Sequence, residues 1–240
     1  MSTTKIRARI GYTSPLFLTE NFPYEFYKVM PEGVRLVLTT LAIHTYNQDE
    51  VRKSLEITVE AARAMAKAGV DLVILGGVPL NLALGHEGLQ KVMSDLQAET
   101  GVPVTSSLTM QMKALKALGS CKIVVGHPIP ETKSIYAEYL SHYGFQMIGQ
   151  LGAGRTVTNQ SMLPPETALE LARTLHHQFP DADSVYFPSP HWGTMSSIQL
   201  IEDELGLNAM SATLAILWDS LRSCAITEKR LGYGRLLREF

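Results

Sequence analysis

Cysteine is nearly absent from this chain: Cys121 and Cys224 are the only two in 240 residues. Two thiols are too few for a four-ligand metal cage or a disulfide framework, and they suit a reducing compartment, so both are expected as buried thiols. Charge is scarce too. Asp, Glu, Lys and Arg make up 18% of the residues, against about 25% in an ordinary soluble domain. The 21 basic side chains face 23 acidic ones, for a net charge of −2. No basic stripe is left to neutralise a phosphate backbone, which excludes nucleic acid as a partner. Long apolar runs are also missing. Nothing approaches the ~18–20 consecutive apolar residues that cross a bilayer, and the opening Met1–Arg9 lacks the apolar stretch of a secretory leader. These absences point to a cytoplasmic protein with no membrane partner. What is present is core material: 45% of the residues are hydrophobic, which excludes disorder, and the length suits one or two domains.

Short runs rich in Val, Ile and Leu alternate with longer stretches of helical period, the pattern of βαβ units on a mostly parallel sheet. The fold class is therefore α/β. Strands are predicted at Ile6–Tyr12, Val34–Thr40, Asp71–Leu75, Val102–Ser106, Cys121–Gly126, Phe145–Gly149, Ser184–Pro188 and Leu207–Met210. Helices are predicted over Gln48–Ala68, Gly85–Thr100, Leu108–Leu118, Pro130–Tyr143, Pro165–Phe179, Thr194–Leu205 and Ser211–Cys224. In the first of these, Val51, Leu55, Val59, Ala62 and Met65 recur every three to four residues and Gly69 ends the run.

One internal similarity stands out. Gly101-Val102-Pro103-Val104-Thr105-Ser106-Ser107, followed by a Met/Leu-rich helix, resembles Gly206-Leu207-Asn208-Ala209-Met210-Ser211-Ala212, followed by another. Before each lie an acidic amphipathic helix, then a small-residue loop, then an apolar strand. The loops are Gly76-Gly77-Val78-Pro79 and Pro188-Ser189-Pro190-His191. A duplication predicts two pseudo-symmetric lobes, each a parallel sheet flanked by helices, with a ligand cleft at the carboxyl ends of the strands. The first lobe is expected to comprise residues 1–116 and 211–240, and the second 117–210. Two unrelated βα units of ordinary kind would look similar as well.

Candidate chemistry gathers at the strand ends. In Phe187-Pro188-Ser189-Pro190-His191-Trp192-Gly193-Thr194, two prolines fix φ on either side of a hydroxyl and present it rigidly. Ser189 and His191 are the expected catalytic pair, with the imidazole shuttling a proton near neutral pH or binding a carboxylate. The bland alternative is a Pro-rich turn whose Ser189 caps the helix near Thr194. Adjacent loop residues do not amount to a Ser-His-acid triad, so a hydrolase is only weakly suggested. Gly76-Gly77 lets backbone N–H groups approach an anion, or merely turns the chain. Ser14 ends the first strand in the same way, and His127 ends the fifth. The expected substrate-binding set is Ser14, Gly77, Val78, His127, Pro190 and Trp192, with Leu80 adding apolar surface. No metal ligands are expected: His44, His86, His142, His176 and His177 lack metal spacing. The Met110–Met112 and Leu214–Trp218 stripes fit a core or a homo-oligomer interface.

With Ile10-Gly11-Tyr12-Thr13-Ser14-Pro15, Asp71–Pro79, Thr100–Ser106, the strand carrying Ser189 and the closing Gly232-Tyr233-Gly234-Arg235-Leu236-Leu237, nearly the whole chain resembles the aspartate/glutamate racemase superfamily. Within it, the branch of arylmalonate decarboxylase and maleate cis–trans isomerase is the nearest in pattern. The resemblance implies two α/β lobes with the active site between them, no cofactor or metal, and a small carboxylic acid as substrate. Members place a cysteine after the third strand of one lobe, after its counterpart in the other, or at both. Here those slots hold Gly77 and Ser189. Two-thiol racemisation is thereby disfavoured, and the glycine-first pattern is that of arylmalonate decarboxylase, whose single cysteine protonates the enediolate left by departing carbon dioxide. The hydroxyl donors and the tyrosine that hold the retained carboxylate in that enzyme are replaced here by Val78, Pro79 and the stretch from His127 to Ile129. The implied function is an arylmalonate-type decarboxylase working through an enolate-like intermediate. A maleate-type isomerase, a racemase or a catalytically silent carboxylate-binding protein remain as alternatives. Because a serine hydroxyl is a much weaker acid than a thiol, His191, with His127 second, is expected to assist it.

Overall fold

Parallel strands covered on both faces need near-continuous apolar runs, and Leu72–Leu75, Ile123–Val125 and Val185–Phe187 are such runs, all essentially buried. The computed structural model describes residues 5–45, 47–130 and 135–240. Its first half contains β1 (Ala8–Leu16), α1 (Asn21–Val29), β2 (Val34–Ile43), α2 (Gln48–Lys67), β3 (Leu72–Leu75), α3 (Val78–Ala83), α4 (Gly85–Thr100), β4 (Val104–Ser106) and α5 (Ser107–Ala117). Then come β5 (Lys122–His127), α6 (Ile135–His142), β6 (Gln146–Gly152), a 3-10 turn (Gln160–Met162), α7 (Glu166–Gln178), β7 (Ser184–Phe187), α8 (Met195–Leu205), β8 (Asn208–Ser211), α9 (Ala212–Ser223) and α10 (Arg235–Glu239).

The strands form two four-stranded sheets ordered β2-β1-β3-β4 and β6-β5-β7-β8, with every pairing parallel. Adding four to each strand of the first order yields the second, so the two sheets share one topology. The repeat seen in the sequence sits at equivalent places: the Ser106 hydroxyl accepts the Thr109 N–H at the start of α5, and the Ser211 hydroxyl accepts the Leu214 N–H at the start of α9. Both are N-caps, which a serine directly after a strand supplies. A buried hydrogen bond of 2.5 Å from the Tyr186 hydroxyl on β7 to Gln111 Oε1 on α5 ties the halves together.

All eight predicted strands are present, with shifted ends. The predicted helix Pro130–Tyr143 is observed as α6, and its residues 131–134 lie outside the described residues, as do Met1–Thr4 of the opening segment. Three helices were not anticipated: α1, α3 and α10. The first two contain a proline in their first turn, Pro23 and Pro79. There the missing N–H has no intrahelical partner to lose, so a residue that reads as a breaker is tolerated. Helix α1 matters most, because Phe22 and Phe26 are fully buried and Phe22 packs on Tyr12 with ring centroids 4.4 Å apart. The expectation of two buried thiols is corrected: Cys121 is exposed at the foot of β5, and only Cys224 is half-buried. Cys121 directly precedes Lys122, the solvent-facing first residue of the strand, and so stays outside the apolar run.

Candidate active site

In a parallel sheet, ligands bind where the strand order reverses, because the two flanking loops turn away from each other and open a crevice. Here the reversals fall between β1 and β3 in one sheet and between β5 and β7 in the other. Both open on a single cavity of about 60 Å³ lined by Pro15, Gly77, Val78, Pro79, His127, Pro128, Ile129, Tyr136, Val157, Gln160, Pro188, Ser189, Pro190 and His191. Residues from all four strand ends contribute. Among these described residues none is a lysine, arginine or cysteine, and five are prolines, which bring no N–H donor.

Gly77 stands at the first switch point with φ at +90°, a conformation that L side chains rarely adopt, and a Cβ there would lie 2.8 Å from Pro15 Cβ. Gly76 beside it is held by its N–H, which donates to Thr13 Oγ1 at 3.0 Å. The second switch point carries the half-buried Ser189. Its hydroxyl donates to Gln160 Oε1 at 2.5 Å and accepts the His191 backbone N–H at 3.3 Å. The His191 imidazole is buried, with Nδ1 3.2 Å from Thr19 Oγ1 and Nε2 without a partner. Burial pushes it down to about 3 from the usual 6.5, because the charged form would lose its water. On the opposite wall, His127 Nε2 lies 3.2 Å from Gln150 Oε1 and its ring rests 5.1 Å from that of Tyr136. The Tyr136 phenol is pushed well above the usual range by burial and stays neutral.

Helix α1 holds the Ser189 loop from the other lobe. Asn21 Nδ2 donates to the carbonyls of Ser161 and His191, at 3.0 and 3.1 Å. The buried carboxylate of Glu25 accepts the Met195 N–H at 2.9 Å and so caps α8. Burial lifts Glu25 from 4.5 to about 7, and the Met195 bond pulls partly the other way.

Six residues singled out in the sequence line this cavity: Gly77, Val78, His127, Ser189, Pro190 and His191. Three others do not. Ser14 is fully buried with its hydroxyl unpartnered. Side chains alternate along β1 and the register breaks between Ser14 and Leu16, so Pro15 takes the cavity wall instead. Trp192 turns into the core, fully buried and edge-on to Phe187 at 5.5 Å, and provides no wall. Leu80 packs with Leu16, Leu41 and Ile43 in a separate cluster. Ser189 does not cap α8, since Glu25 has that place. Burial favours the neutral form of the His191 imidazole. Sequence reasoning missed Tyr136, Val157, Gln160, Thr19, Asn21 and Glu25. They reach the cavity or its loops from helix α6, from the segment after β6 and from the chain after β1, and no strand-end motif marks them.

The model of the arylmalonate decarboxylase family matches residues 18–237. The chain belongs to that family. An arylmalonate decarboxylase from Bordetella bronchiseptica is 27% identical over 188 residues, covering 77% of this chain and 78% of that protein. Among solved structures, a liganded glycine-to-cysteine, cysteine-to-serine double mutant of arylmalonate decarboxylase is 22% identical and superposes with a TM-score of 0.87, over 97% of this chain and 100% of that one. A Nocardia farcinica maleate cis–trans isomerase mutant with a covalently bound succinylcysteine intermediate is 18% identical, with a TM-score of 0.80 over 97% and 99%. Family membership and the shared two-lobed fold account for the paired switch points on one cavity.

Proposed function

We propose that this member of the arylmalonate decarboxylase family is a carboxy-lyase acting on a small malonate-type acid, with Ser189 as the proton donor to carbon. The observation that carries the reading is a single hydroxyl at the second switch point, sharing a cavity with a bare glycine at the first. In this scheme the bond between the α-carbon and one carboxylate breaks, carbon dioxide leaves, and the electron pair stays behind as an enediolate. The departing carboxylate lies among Val78, Ile129, Val157 and proline rings, which give an anion no stabilisation and favour its loss as a neutral molecule. The retained carboxylate takes donors from the Val78 N–H at the open start of α3 and from the Tyr136 phenol.

An enediolate carbon is a far stronger base than an alkoxide, so a hydroxyl can protonate it without prior activation. Ser189 gives its proton to carbon, its oxygen is stabilised by the His191 N–H, and water restores the proton. His191 acts as a neutral hydrogen-bonding group, not as the acid. His127, Gly77 and Pro190 shape the site. The lobe boundaries near residues 117 and 211, a cytoplasmic location and self-association belong to the same reading. An isomerase is the less favoured alternative: the Nocardia enzyme is described with a cysteine-bound intermediate, and neither Cys121 nor Cys224 lines this cavity.

The test is carbon dioxide release from phenylmalonate by the wild type and by Ser189→Cys. Turnover is expected from both, faster with the thiol, which yields its proton more readily. Tight binding without release by either protein would overturn the reading in favour of a carboxylate-binding protein, and conversion of maleate to fumarate would overturn it in favour of an isomerase.

A further inference from the structure

The Ser189 hydroxyl has one proton, and the resting structure gives it to Gln160. The Gln160 amide cannot turn its nitrogen to Ser189 without cost, because Nε2 donates to the Val157 carbonyl at 2.7 Å and thereby aims Oε1 at the hydroxyl. Ser189 also accepts the His191 N–H, so what its oxygen has left for the cavity is a lone pair. That is the wrong polarity for a carboxylate, which needs donors. Among the described residues of the proline-ringed wall, donors beside the Tyr136 phenol and the Val78 N–H are few, so a bound anion draws on the Ser189 hydroxyl as well. Gln160 has somewhere to go. It and His191 are shared with a second cavity of about 410 Å³ that reaches the surface past Leu18 and Met162, which are 80% and 72% exposed.

We propose that Gln160 is a latch on Ser189: it holds the hydroxyl proton away from the empty site, and a bound acid displaces the Gln160 amide toward the outer chamber and takes the hydroxyl in its place. Gln160 is on this account a positioning residue acting through Ser189. The latch also keeps a half-buried hydroxyl paired while the cavity is empty, where an unpaired polar group would weaken the fold. The inference rests on the carboxylate reading above, and its test is built so that the two fail separately.

The experiment is a double-mutant cycle read by calorimetric binding of phenylacetate to the wild type, Gln160→Met, Ser189→Ala and the double variant. Methionine keeps the length and unbranched shape of glutamine and removes the acceptor. A ligand that must break one neutral hydrogen bond to bind gains roughly fivefold in affinity when that bond is already gone. Gln160→Met is therefore expected to bind phenylacetate about fivefold more tightly than the wild type, and to make no difference once Ser189 is alanine. An equal change in both backgrounds would mean that Gln160 acts only as wall, and would overturn the latch. If phenylacetate binds none of the four, the carboxylate reading fails and the latch is judged in the free proteins by nitrogen-15 labelling of glutamine. Ser189→Ala is then expected to shift the Gln160 side-chain amide signals and speed their exchange with water. Unchanged signals would overturn it.

Discussion

The two lobes place the same topology at the same cavity and equip it differently. At the first switch point, Gly77 is held at positive φ with Pro15 against the space a side chain would need, so that corner offers backbone and nothing else. At the second, Ser189 has a side chain that donates to Gln160 and accepts an N–H of its own loop, and the loop is held by Asn21 and Glu25 from the opposite lobe. Equivalent folds thus carry one corner of bare backbone and one with a hydrogen-bonding side chain. A duplicated frame places two equivalent corners on one cavity, and side chains from across the lobe boundary brace only the second.

The largest expected effect removes the difference between the corners. Ser189→Ala should lower phenylmalonate turnover by about 10²-fold or more, the usual worth of a positioned proton donor, while the fold survives the loss of about 1–3 kcal/mol for the Gln160 Oε1 left unpaired. Undiminished turnover would put the proton elsewhere. Equipping the first corner instead should damage the fold. Gly77→Ala sets a Cβ at φ +90° and 2.8 Å from Pro15, and is expected to cost roughly 2–4 kcal/mol in urea unfolding.

A smaller test concerns the cross-lobe support. Glu25, raised from 4.5 to about 7, holds a proton in the folded state that the unfolded chain has released, so it makes stability fall as pH rises through that window. His191, lowered from 6.5 to about 3, works in the opposite sense and makes stability fall as pH drops below 6.5. Between pH 4.5 and 6.5 the two slopes oppose each other and the wild type should vary little. Glu25→Gln should unmask the His191 slope, so that stability measured by urea unfolding rises steadily with pH across that range. A variant curve parallel to the wild type would deny Glu25 its raised value. Last, Trp192→Phe should weaken the fold by roughly 1–2 kcal/mol and leave phenylacetate affinity unchanged, because the indole is part of the core and not of the cavity.

Much of this was legible before any coordinates. The eight apolar runs, the parallel order implied by their spacing and the duplication around Ser106 and Ser211 are local patterns that the backbone follows directly. Gly77 and Ser189 were legible for the same reason, since strand-end loops face the switch point in any sheet of this kind. Trp192, Ser14 and Leu80 were misplaced because each sits directly beside a true wall residue: His191, Pro15 and Pro79. Proximity along a chain does not say which way a side chain turns at a bulge or a loop end. Proline misled in both missed early helices, since Pro23 and Pro79 occupy the one turn where a helix tolerates them.

The sequence by itself determined the α/β class, the two matching lobes and the strand-end positions from which chemistry is possible, because periodicity and turn residues act over a few neighbours. Only the tertiary structure decided that Gln160 takes the Ser189 proton, that Asn21 and Glu25 hold the opposing loop, and that burial pushes the His191 imidazole below its usual range. Those outcomes depend on burial and on contacts between residues up to 170 positions apart, and neither burial nor such contact is a property of any short stretch of chain.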